Sequence, residues 1–118
     1  MQYGEFISEV RGRTSAEDRE EAEQFANATL QTLGERIGQD ESDQLASELP
    51  TEFTDDLLRG APVRFGVDEF VERVDDATDV EVREADVRGV FAVLDDAVSA
   101  GELDDVRARL PDEYERLL

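Results

Sequence analysis

Carboxylates are the one chemistry-bearing side chain this sequence has in quantity. Glu17 and Glu20, Glu69 and Glu72, Glu72 and Asp75, and Glu102 and Asp105 each stand three residues apart. On a helix that spacing puts both carboxylates on one face. Hard cations such as Mg²⁺ take oxygen ligands of this kind. The pairs would suit a carboxylate-dependent phosphohydrolase if three or four acids from different helices converged within roughly 4–5 Å of one point. Composition supplies a plainer account. With acids at 32 of 118 positions, chance alone gives roughly eight such pairs, on helices whose outer faces are expected to be polar. A carboxylate-bridged di-iron centre needs Glu-x-x-His, and there is no His. The sequence assigns no catalytic, cofactor-binding or metal-ligating residue, and no cofactor is expected.

Arginine is the second candidate. All twelve basic residues are Arg. Arg59 and Arg64 flank one proline-containing segment, and Arg107 and Arg109 precede another. They could clamp a phosphate or carboxylate; in so acidic a chain their first expected role is to neutralise neighbouring acids. Nucleophilic catalysis has little to build on, because no His, Lys or Cys is present to act as base or nucleophile. No glycine-rich phosphate loop occurs.

The formal net charge of −20 opposes compaction through self-repulsion. Molar salt shortens the screening length to roughly 3 Å and removes that penalty. The acids run along the whole chain, which points to a cytoplasmic protein adapted to high salt rather than to a single acidic face made for a basic partner. Naked nucleic acid is not an expected partner, since phosphate affinity needs a basic face. No apolar run approaches the roughly 18 residues that span a bilayer, and the first residues do not read as a signal peptide.

The elements that must carry these groups are helical. Tyr3, Phe6, Ile7 and Val10 recur at helical spacing. Thr14-Ser15-Ala16-Glu17 fits a capping box and predicts the start of a long second helix. Its stripe is Ala22, Ala26, Leu30, Leu33 and Ile37, and Gly38 is placed to cap it. A third helix carries Leu45 and Leu49 until Pro50 ends it. A short fourth one buries Phe53 and Leu57. Gly60-Ala61-Pro62 reads as a linker. Only Val63–Val67 looks briefly strand-like.

The plan then recurs. Leu110-Pro111-Asp112-Glu113-Tyr114 follows Leu49-Pro50-Thr51-Glu52-Phe53 by 61 residues. Phe70 and Val74 follow Phe6 and Val10 by 64, as Thr78 and Glu81 follow Thr14 and Glu17. The predicted fold is all-α, a compact helical bundle in one domain (1–118) of two tandem pseudo-repeats, 1–60 and 61–118. Each repeat has about four antiparallel helices. Val87–Val98 is apolar nearly all round and is expected to be the most buried segment, or else to form a homodimer contact. In the repeated corner, Leu and the aromatic residue are expected to bury. Glu52 or Glu113 should meet free N–H groups of the first turn that follows.

Tyr3–Val10, Leu30–Ile37, Leu45–Phe53, Phe65–Phe70 and Leu110–Tyr114 together resemble the family catalogued as domain of unknown function 2267. The resemblance covers essentially the whole chain. It implies the helical-repeat fold and no activity or catalytic residue. The functional expectation is a non-enzymatic module that binds another protein or itself. The alternatives are the Mg²⁺ phosphohydrolase and an acidic mimic of nucleic acid.

Overall fold

The computed structural model describes all residues 1–118 and contains helices and no strands. In chain order they are α1 (Tyr3–Arg13), α2 (Arg19–Ile37), α3 (Gln39–Ser47), a 3₁₀ turn (Thr51–Phe53), α4 (Thr54–Leu58), α5 (Val67–Asp76), α6 (Glu84–Ala97), α7 (Ala100–Ala108) and a second 3₁₀ turn (Asp112–Arg116). The strand-like Val63–Val67 is irregular chain leading into α5; Val63 N–H donates to Glu35 O at 2.9 Å. No helix is long and apolar enough to cross a membrane.

The apolar positions close into one core of 31 residues drawn from every helix. Phe6, Val10, Phe70 and Val74, the residues at equal spacing in α1 and α5, are all completely buried. At 25 cal/mol per Å², each such side chain contributes about 1.5–3 kcal/mol.

α2 sits at the centre and touches α1, α3, α4, α5 and α6. From Glu21 to Ile37 it has no exposed residue. The most buried segment is therefore in α2 and not Val87–Val98, where Arg88, Ala92, Asp95 and Asp96 are exposed. The physical reason is side-chain size. Buried Thr29, Thr32 and Gly34 let neighbours come close, and a hydrophobicity pattern gives them no weight. A Cβ on Gly34 would collide with the carbonyl oxygen of Leu57 in α4. Thr32 satisfies its hydroxyl locally by donating to Ala28 O at 2.8 Å.

Both predicted capping boxes are displaced. Thr14 closes α1 instead of opening α2: its hydroxyl donates to Val10 O at 2.7 Å. Asp18 caps α2 by accepting from Glu21 N–H at 2.9 Å. Thr78 likewise donates to Asp75 O and Val80 O, while Asp86 accepts from Arg83 N–H at 3.0 Å to open α6. Asp86 also accepts from Ser15 N–H at 2.8 Å, tying α6 to the α1–α2 loop. Gly38 does cap α2, at φ 90°, and the chain turns there directly into α3. That left-handed backbone is the conformation glycine adopts without cost.

Candidate functional site

α3 and α7 bring the first group of residues together. Glu48, at the end of α3, accepts from Ser99 N–H at 2.7 Å and from the Ser99 hydroxyl at 3.1 Å, at the start of α7. Arg109, at the end of α7, lies 3.5 Å from Glu41 in the first turn of α3. End meets start at both places, so the two helices run in opposite directions. Between these contacts, carboxylate oxygens of Glu41, Glu102 and Asp105 lie within 4.8 Å of one another.

Two of these acids are inside the protein. Glu41 is 2% exposed and Glu102 6%, while Asp105 is at the surface. One oxygen of each buried acid, Oε2, is sealed from solvent without a hydrogen-bond donor. A buried, unpaired carboxylate oxygen is among the costlier features a fold can hold. Burial, then the neighbouring Glu41, Glu48 and Asp105, push the Glu102 carboxyl up to about 8. Its ordinary value is 4.5. Between those two values the folded chain holds a proton that the unfolded chain releases. The contribution of Glu102 to stability therefore falls as pH rises through that window. Melts across this range in a chelating buffer should show a decline that Glu102→Gln flattens.

Of the sequence candidates, only Glu102 and Asp105 join this cluster. Glu17 lies before α2, so Glu17 and Glu20 do not share a helix face. Glu69 pairs with Arg73 at 2.8 Å, Glu72 is exposed, and Asp75 accepts from Val82 N–H at 2.8 Å. Glu41 was not among the candidates. Its signal was available: it stands 61 residues before Glu102, and each Glu lies four residues before a buried apolar residue, Leu45 or Val106. A carboxylate at the head of an apolar stripe, twice at one offset, is not expected of a solvated face.

The second feature shares Arg109. A cavity of about 490 Å³ opens between the α2–α3 turn, the linker and the end of α7. Arg36, Arg64 and Arg109 line it, together with Ile37, Val63 and Leu110 among others, and no acid does. Arg36 is held in place: its Nε–H donates to Phe65 O at 2.9 Å and its guanidinium lies 5.5 Å from the centre of the Tyr114 ring. Neither Arg36 nor Arg64 has a carboxylate partner within 4.0 Å. Neutralisation, expected of the four flanking arginines, holds for Arg59, 3.7 Å from Asp56, and for Arg109. Arg64 and Arg107 pair with no acid. Val63 is one of two exposed large apolar side chains, the other being Met1.

An all-α fold with a cationic cavity beside a buried acid cluster describes a class of architecture and no known chemistry. The chain belongs to the family of uncharacterized conserved proteins DUF2267, whose model matches residues 3–117. No curated protein matches it.

Proposed function

We propose that this is a non-enzymatic binding module that grips a carboxylate-bearing segment of another protein, or of a second copy of itself, in the cavity lined by Arg36, Arg64 and Arg109. The observation that carries the reading is a local inversion of charge. In a chain with 32 acids and 12 arginines, the cavity wall holds three arginines and no acid. Arginine offers a planar fork that matches a carboxylate with two parallel hydrogen bonds. Val63, Ile37 and Leu110 add an apolar wall beside the cations. That mixture suits a carboxylate next to an apolar side chain better than it suits a bare phosphate.

The rest of the reading is consistent with this site. The chain is a single domain of two tandem pseudo-repeats, 1–60 and 61–118, whose antiparallel helices correspond as α1 with α5, α2 with α6 and α3 with α7. The cavity then lies where the end of the second repeat meets the linker between the two. The protein works in the cytoplasm of a host with high internal salt, where its charge is screened. Recognition there depends on short, bidentate contacts, because attraction beyond a few ångströms is lost. The alternative phosphohydrolase draws on the convergence of Glu41, Glu102 and Asp105. Burial of the first two leaves little room there for a phosphoester, so the binding reading is preferred.

The test is an NMR titration in 1 M KCl with a short peptide ending in a free Leu carboxylate, its C-terminal amide, and inorganic phosphate. The free acid should shift the guanidinium signals of Arg36 and Arg64, and Arg36→Ala with Arg64→Ala should abolish the response. Equal binding of the amide, or binding of phosphate alone, sinks the reading. Light scattering at the same salt separates a second copy from another protein as the partner.

A further inference from the structure

We propose that Glu41, Glu102 and Asp105 form a calcium site that ties α3 to α7. Two observations carry this independently of the cationic cavity. The first is geometric: the three carboxylate oxygens lie within 4.8 Å of one another. Calcium takes oxygens at roughly 2.3–2.6 Å, so its ligands stand up to roughly 4.6–5.2 Å apart, and oxygens spread over no more than 4.8 Å lie within reach of one ion. Magnesium, at roughly 2.0–2.1 Å, demands a strict octahedron and gives up its water reluctantly, so two carboxylates buried in the fold suit calcium better.

The second observation is the state of the buried oxygens. Oε2 of Glu41 and Oε2 of Glu102 have no hydrogen-bond donor, on side chains 2% and 6% exposed. They sit on facing helices, one from each half of the chain, and both belong to the converging carboxylates. A cation supplies what they lack. The nearest positive charge, Arg109, stands off at 3.5 Å from Glu41 and is half in solvent, so it does not fill the gap between the acids. Glu48 adds negative charge nearby but is committed to Ser99. Asp105 faces water, which leaves coordination positions open to solvent, as calcium with few protein ligands needs.

Calorimetric titration of CaCl₂ into metal-stripped protein in 1 M KCl tests the site, with MgCl₂ as the comparison. One calcium per chain is expected, bound at least ten-fold more tightly than magnesium. At a hundred-fold excess over Kd the melting temperature should rise by roughly 10 °C. Asp105→Asn should weaken binding about ten-fold, and Glu102→Gln should abolish it. Glu102→Gln should also stay folded in chelator, because the amide keeps the size of the side chain and brings no charge between α3 and α7. Loss of the calcium response in that variant is therefore not a loss of folding. No binding by the parent overturns the proposal. So does binding that survives in the Glu41→Gln, Glu102→Gln double variant, since that places the ion on the general acidic surface. Stabilisation by potassium equal to that by calcium overturns it as well.

Discussion

The corners Leu49–Phe53 and Leu110–Tyr114 bend the chain alike and differ in what they touch. In both, a proline in extended conformation opens a 3₁₀ turn, and the aromatic N–H donates to the proline carbonyl at 3.0 Å, Phe53 to Pro50 and Tyr114 to Pro111. In both, the aromatic ring packs on the phenylalanine of the first helix of its half: Phe53 on Phe6 at 4.9 Å, Tyr114 on Phe70 at 5.8 Å. There the likeness ends. Phe53 adds a second aromatic contact, with Tyr3 at 5.1 Å, and leads into α4, which packs on Gly34. Tyr114 instead donates its hydroxyl to Phe65 O at 2.7 Å and takes the Arg36 guanidinium on its ring. The first corner is an apolar hinge. The second is a polar support that positions one arginine of the cavity, and its own Leu110 and Pro111 form part of the cavity wall. One backbone motif thus packs an apolar core in one half and shapes a cavity wall in the other.

The largest expected effect tests the apolar corner. Phe53→Ala removes a ring with no exposed surface and should cost about 3–5 kcal/mol in urea denaturation. Gly34→Ala drives a methyl into the Leu57 carbonyl and should cost about 3 kcal/mol by displacing α4. Exchanging the aromatic residues should then hurt unequally. Phe53→Tyr places a hydroxyl inside a packed aromatic cluster and should cost about 2 kcal/mol. Tyr114→Phe loses one hydrogen bond while Arg36 still donates to Phe65 O, so about 1 kcal/mol is expected. Equal costs for the two exchanges would erase the distinction between the corners.

Much of this is legible in the sequence. The helices follow from stripes of large apolar residues, whose burial depends on spacing alone, and the paired corners follow from proline geometry. The rest depends on which of several possible partners a side chain meets, near or far along the chain. Thr14 could open a helix or close one, and only the proximity of the Val10 carbonyl decides. Gly34 and Thr29 make α2 the centre through smallness. Glu113 reads in sequence as serving the turn it stands in; it accepts instead from Val67 N–H at 2.8 Å and serves α5. Glu41 was lost in a crowd of acids, because composition cannot tell a buried carboxylate from a solvated one. Arg36 lies within Leu30–Ile37 and carries no local sign that it lines a cavity.

The smallest expected effect is also the sharpest test of the two corners. Glu52 is exposed and Glu113 holds the first N–H of α5, so Glu52→Ala should change stability by less than about 0.5 kcal/mol and Glu113→Ala should cost about 1 kcal/mol. The reason lies at Gly66, the residue before α5, which has no side chain to cap the helix. Glu113 supplies that cap from 46 residues away, and a Cβ on Gly66 would strike its Oε1. Gly66 has φ −86° and ψ −179°, a backbone any residue adopts. Serine there could cap α5 locally if Glu113 were out of the way. Gly66→Ser should therefore destabilise the parent and stabilise Glu113→Ala, a reversal of sign that additive effects cannot produce. The same sign in both backgrounds would mean that Glu113 is not the cap, and that the second corner supports α5 by packing alone.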